Sequence, residues 1–226
     1  MALVWILFIG IAIASYAVSA MLQSRFKKYS RIPIRNGMTG KDVSETMLQQ
    51  NGIYNVNVIS TRGHLTDHFN PANMTINLSE PVFGSNSVAA VAVAAHETGH
   101  AVQHATQYGP LKLRSALVPV VSFANQWVTW VLLAGILLIS ILPNLIWIGI
   151  VLFAFTTLFS FITLPVEINA SKRALAWLSE AGITDSSNEA QARDALKWAA
   201  YTYVVAALGS LATLIYYVMI ALGRRD

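Results

Sequence analysis

The chain has 226 residues, 55% of them hydrophobic and only 12% charged, against about 25% charged in an ordinary soluble domain, which excludes a disordered or highly solvated protein. Fifteen Lys and Arg against eleven Asp and Glu leave a net charge of +4, a nucleic-acid signal only if the basic residues gather into a surface patch. Cysteine is absent, so there is no disulfide framework and no thiolate metal site, and any metal must be held by His and carboxylate.

The charge shortage is concentrated. No Asp, Glu, Lys or Arg occurs in residues 1–23, 115–166 or 198–223, and each block exceeds the roughly 20 apolar residues that cross a bilayer as a helix. Pro143 and Asn144 divide the central block, so the pattern predicts four transmembrane helices over about 3–22, 117–142, 145–164 and 198–222. Val18-Ser19-Ala20 resembles a signal-peptide cleavage site, but no basic residue precedes the apolar run and Arg25, Lys27, Lys28, Arg31 and Arg35 follow it. This is the pattern of an uncleaved anchor with its N-terminus outside. Four crossings then place residues 23–115 and 166–197 inside, with 13 of the 15 basic residues; Arg224 and Arg225 fall outside. The positive charge therefore marks orientation, and no nucleic-acid partner is expected. The expectation is a mainly α integral membrane protein, one domain over residues 1–226 with cytoplasmic parts at 37–114 and 165–197.

Between the first two crossings, Thr39 and Asp42 form a variant capping box for a helix ending before Gly52. Alternation in Ile53 to Ile59, in Leu65-Thr66-Asp67-His68-Phe69 and in Met74-Thr75-Ile76-Asn77-Leu78 predicts two or three short strands in a small sheet. Residues 86–106 are Ala-rich and helical in composition. With 100° per residue and His96 as origin, Gln103 falls at about −20°, His100 at about 40°, His104 at about 80° and Glu97 at about 100°, one polar stripe on a helix otherwise of Ala, Val and Gly.

The stripe carries His96-Glu97-Thr98-Gly99-His100, an H-E-x-x-H motif. Imidazoles four residues apart share a helix face and can reach one zinc ion, and the adjacent Glu97 is placed to act as general base on a metal-activated water. For a third ligand, Gln103 stands where a metzincin needs glycine, and His104 would have to reach back past His100. Glu167 ends 52 uncharged residues at the inner mouth of the third predicted helix; an ionisable group at such a depth needs a partner. Two crossings separate it from His96, so both lie on one side of the membrane. Glu180 and Glu189 share that side but sit among surface-like residues. Gly99, costly inside a helix, is expected to admit a close backbone neighbour.

Leu65-Thr66-Asp67-His68-Phe69-Asn70-Pro71, Ala94-Ala95-His96-Glu97-Thr98-Gly99-His100-Ala101-Val102-Gln103 and Leu164-Pro165-Val166-Glu167-Ile168-Asn169-Ala170-Ser171-Lys172-Arg173-Ala174 together resemble the YugP-like bacterial membrane zinc metallopeptidases, distant relatives of the HtpX and CAAX-prenyl proteases among the gluzincins. The resemblance spans essentially the whole chain. It implies a small α+β gluzincin-like unit with a short sheet beside the four transmembrane helices. It further implies one zinc ion on His96, His100 and Glu167, Glu97 as general base, and substrate along an edge strand within residues 64–78. Ser171 stands where HtpX-like relatives carry an aspartate that supports a zinc-binding histidine, and Phe69-Asn70 stand where the family usually has Tyr-Asp. Asp67 and His68 are further candidates for substrate contact. The implied protein is a multi-pass enzyme of the bacterial cytoplasmic membrane with a cytoplasmic site, hydrolysing polypeptides in or near the bilayer. The alternatives are a non-catalytic membrane zinc-binding scaffold and an intramembrane site-2-type protease; the apolar run Val88 to Ala95 is too short to span, which counts against the latter.

Overall fold

The computed structural model describes residues 2–223, with side chains from residue 5 onward; Arg224 and Arg225, the two basic residues expected outside, lie beyond the described residues. In chain order the elements are α1 (Ala2–Tyr29), α2 (Gly40–Gln50), β1 (Asn57–Thr61), β2 (His68–Asn70), β3 (Thr75–Ser79), α3 (Glu80–Phe83), α4 (Val88–Ala105), α5 (Gly109–Leu137), α6 (Asn144–Glu180) and α7 (Glu189–Leu222). Four of them, α1, α5, α6 and α7, are long and apolar enough to cross a membrane. Their ends do not coincide with the ends of the charge-free blocks. Helix α5 begins at Gly109 and runs through Pro119, and α6 continues through Pro165 as far as Glu180. Loss of charge marks a bilayer-compatible stretch, whereas a helix ends only where its backbone hydrogen bonds can no longer continue.

The chain forms two compact units. The first draws on the chain up to Ala17, Lys112–Leu164 and the chain from Thr202 onward. Val128, Leu132, Ile146 and Ile150 form its buried apolar cluster, while Trp130, Leu137 and Ile141 turn outward, with Trp130 66% exposed. So many large apolar side chains on the outside require a non-aqueous surrounding. Helices α5 and α6 touch through glycines: a Cβ at Gly135 would lie 2.7 Å from Ile146 Cα, and one at Gly149 would lie 2.6 Å from Leu132 Cδ2. Without a hydrophobic drive between helices in lipid, such close backbone packing supplies the association. Thr157 Oγ1 and Ser210 Oγ share a hydrogen bond of 2.8 Å between α6 and α7.

The second unit comprises Val18–Leu111 and Pro165–Tyr201. Helix α2 starts on the expected capping box, with Thr39 Oγ1 accepting from Asp42 N–H and Asp42 accepting from Thr39 N–H. It ends in a Schellman arrangement in which Ile53 N–H donates to Leu48 O at 2.9 Å and Gly52 N–H to Gln49 O at 3.0 Å, with Gly52 at φ +69°. Ile53 is therefore buried as part of the helix stop, and β1 begins four residues later than the alternation suggested. The sheet has order β1-β3-β2. Strand β1 runs parallel to β3, Asn57 opposite Thr75 and Thr61 opposite Ser79; β2 is antiparallel, His68 opposite Asn77 and Asn70 opposite Thr75. Central β3 is buried throughout, leaving β1 and β2 as edges. Helix α4, capped by Ser87 Oγ on Ala90 N–H, is buried along Val88–Ala92, Ala94 and Ala95. Its alanines let α2 approach until Ser44 Oγ donates to Ala94 O at 3.2 Å. Some basic residues are paired within the fold: Arg25 Nε lies 3.3 Å from Asp194 Oδ2, to which Tyr29 also donates at 2.6 Å.

A Gly135→Ala substitution should lower the thermal midpoint of the detergent-solubilised protein by several degrees, because its Cβ must displace the Ile146 backbone. Gly10→Ala, whose Cβ meets nothing within 4 Å, should leave the midpoint unchanged or raised. Equal midpoints for the two variants, measured by circular dichroism, would contradict this account of the helix contact.

Candidate metal centre

Helix α4 presents His96 and His100 one turn apart, their ring centroids 4.8 Å apart and their planes nearly perpendicular. Glu167 reaches them from α6, two residues after Pro165 and immediately beyond the charge-free part of that helix. Its Oε2 lies 3.3 Å from His96 Nε2 and 3.6 Å from His100 Nε2. Glu167 is 3% exposed and His100 9%. The expected metal-ligating set is thus brought together: one ligand atom from each of His96, His100 and Glu167 falls within 4.8 Å of the others.

Gly99 makes this approach possible. A Cβ there would stand 2.8 Å from Ala170 O and 3.3 Å from Ala170 Cα, so α4 and α6 meet backbone to backbone, as the glycine's position inside the helix suggested. Both imidazoles are held from behind. His96 Nδ1 lies 3.1 Å from Ser171 Oγ and His100 Nδ1 lies 3.0 Å from Gln103 Oε1. Each Nε2 therefore faces Glu167. The Glu167 Oε2 atom is shielded from solvent and meets no donor in hydrogen-bonding geometry. A buried acceptor facing two anchored ring nitrogens is the arrangement a shared cation satisfies, and two imidazoles with a carboxylate suit zinc.

Electrostatics support the same grouping. Burial disfavours a charge on His100, but contact with Glu167 and attraction from Glu97 and Glu167 outweigh it and raise its pKa. Burial likewise opposes ionisation of Glu167, yet the two histidines hold its carboxyl well below the usual range. Glu97 is half-buried; its Oε2 accepts from Phe69 N–H at 3.2 Å, which ties the motif to edge strand β2.

The remaining sequence candidates occupy different places. Asp67 accepts from Ser79 N–H at 2.7 Å and from Ser79 Oγ at 3.0 Å, fastening the approach to β2 onto the end of β3. His68 is exposed, with Nδ1 2.8 Å from Thr66 O. His104 is also exposed and sets its ring 5.7 Å from that of Phe69. Glu180 is exposed, and Glu189 pairs with Arg193 at 2.8 Å. Sequence reasoning missed the contacts of Gln103 and Asn169. Gln103 was visible on the polar stripe, and its complete burial is what distinguishes it from a solvated side chain.

The family model described as "Putative neutral zinc metallopeptidase" matches residues 4–222. The chain is 44% identical over 224 residues to "Putative membrane protease YugP" of Bacillus subtilis (strain 168), an alignment covering 97% of this chain and 99% of that protein. No solved structure matches the chain.

Gly99→Ala should separate α4 from α6 and weaken zinc binding at least about tenfold, the scale of damage that loss of ligand orientation causes. Competition with a chromophoric chelator measures it, and unchanged zinc affinity would show that the helix contact does not set the ligand geometry.

Proposed function

The chain belongs to the family of neutral zinc metallopeptidases, and from that premise we propose that it is a zinc-dependent endopeptidase of the cell membrane, gluzincin-like in its ligand set. The observation that carries the reading is the convergence of His96 Nε2 and His100 Nε2 on the buried Glu167 Oε2 beside a glutamate that is not part of that set. His96, His100 and Glu167 would hold the ion. Bound zinc supplies Lewis-acid activation of water and of the scissile carbonyl. Glu97 is the general base. Phe69 N–H holds its Oε2, leaving Oε1 to take the proton as water attacks and to return it to the leaving amine. With the ion on His96 Nε2, His96 Nδ1–H would donate to Ser171 Oγ, 3.1 Å away. Asp67 supports the substrate edge indirectly, through Ser79, and exposed His68 lies on that edge, where an extended polypeptide would pair.

The membrane assignment draws on the four long apolar helices and on the relative's description as a membrane protease. The positive-inside pattern of residues 25–35 supports a site on the cytoplasmic face, and the four long apolar helices favour polypeptide segments in or close to the bilayer as substrates.

Glu97→Gln should retain zinc and lose cleavage of casein or of a membrane-protein substrate by a factor of about 100 or more, the scale of a removed general base; undiminished cleavage would remove Glu97 from the mechanism. Glu167→Ala should lose zinc, and full occupancy in that variant would remove the third ligand. A non-catalytic zinc scaffold would bind zinc without cleaving any substrate in the wild type.

The absence of native cysteine makes a topology test direct. A single cysteine at exposed His64 should resist a membrane-impermeant maleimide in intact cells and react after lysis. Labelling in intact cells would invert the proposed orientation.

A further inference from the structure

Gln103 is completely buried on α4, three residues beyond His100, and the polar atoms of its amide meet three partners. Its Nε2 donates to Val166 O at 2.8 Å and to Asn169 Oδ1 at 3.0 Å; its Oε1 lies 3.0 Å from His100 Nδ1. Chemistry fixes which end of the amide is which. Val166 O is a backbone carbonyl and can only accept, so the nitrogen must point to α6 and the oxygen to the imidazole. Asn169 is fixed in the same way, because its Oδ1 also accepts at 2.9 Å from Arg173 Nε, which can only donate. An amide oxygen has no proton to give. His100 Nδ1 must therefore carry the hydrogen, and in the neutral imidazole that a metal ion requires this leaves the Nε2 lone pair on the Glu167 side.

We infer that Gln103 is a positioning residue that fixes the orientation and tautomer of His100 for metal binding through its side-chain oxygen, with the amide itself oriented by Val166 and Asn169 of α6. The partner of the other imidazole, Ser171, can donate or accept and imposes no such choice. The two histidines are thus held unequally: His100 by an acceptor with no alternative role, His96 by a hydroxyl. Because Val166 adjoins Glu167, the same amide links the support of one ligand to the helix that carries another.

The inference rests on the metal-site reading given above, and the test separates the two. Zinc dissociation constants are measured on the full chain in detergent micelles by chelator competition, alongside thermal midpoints of the metal-free protein. Gln103→Leu, which removes the acceptor, should weaken zinc about 10- to 100-fold. Gln103→Glu keeps an acceptor for Nδ1–H but, while ionised, cannot donate to Val166 O; it should bind zinc within about threefold of wild type even if its midpoint falls as far as that of Gln103→Leu. A residue that only clamps α4 to α6 predicts instead that Glu and Leu lose zinc equally. Wild-type zinc affinity in Gln103→Leu, or a loss of tenfold or more in Gln103→Glu, overturns the inference; should Gln103→Leu fail to fold, the Gln103→Glu value alone decides. Glu167→Ala is run in parallel. If it keeps wild-type zinc affinity the metal site itself is wrong, whereas loss there with wild-type binding in Gln103→Leu removes only the role of Gln103.

Discussion

The backbone contact between α4 and α6 at Gly99 and Ala170 is the constraint on which the site depends. A side chain at Gly99 would overlap Ala170, and any retreat of α6 would carry the Glu167 oxygen away from two ring nitrogens now 3.3 and 3.6 Å from it. The rest of α4 follows the same demand. Ala89, Ala90, Ala92, Ala94, Ala95 and Ala101 are buried, and small side chains allow neighbouring elements close to its axis on several sides. Its alanine content is thus a packing requirement as well as a helix-forming one, and it confines the polar side chains to one sector.

Polar groups enclosed this tightly need partners, since an unpaired one costs on the order of 1–3 kcal/mol. Ser171 and Gln103 engage the far nitrogens of the two imidazoles, and Phe69 N–H engages Glu97. Each partner comes from a different segment: α6, α4 itself and β2. Orientation of the reactive groups is therefore distributed over the fold. These contacts restrict the rotamers of His96, His100 and Glu97 around the Glu167 Oε2 atom, which meets no donor of its own.

Periodicity and capping made much of this legible. The box at Thr39 and Asp42, the helix around His96 and the three short strands all follow from local chemistry that neighbouring structure did not override. Legibility failed where one signal served two causes. Ile53 looked like the first apolar residue of a strand and is the apolar contact of a Schellman stop. The charge-free blocks located the long helices but not their ends, because α5 and α6 extend beyond the apolar stretch into segments bearing charges. Asp67 lay in a motif with His68, yet its carboxylate serves Ser79, a partner twelve residues away that spacing alone does not reveal. Gln103 was placed on the correct face, but that it bridges His100 and Val166 depends on the crossing of two helices, which no local pattern encodes.

Scarcity of charge gives Glu167 its significance. After 52 uncharged residues, a first carboxylate facing water would be an unremarkable interfacial group, whereas this one is 3% exposed. Burial alone would push its carboxyl toward the neutral form, and the two imidazoles reverse that tendency. The opposing influence on its carboxyl thus comes from His96 and His100 and not from solvent. The same continuous helix contains an apolar stretch long enough to cross a bilayer and carries Glu167 just beyond it. A bilayer-compatible stretch and the carboxylate of the candidate site therefore belong to one element, and substitutions that alter how α6 packs can be felt at that site without touching His96, His100 or Glu167.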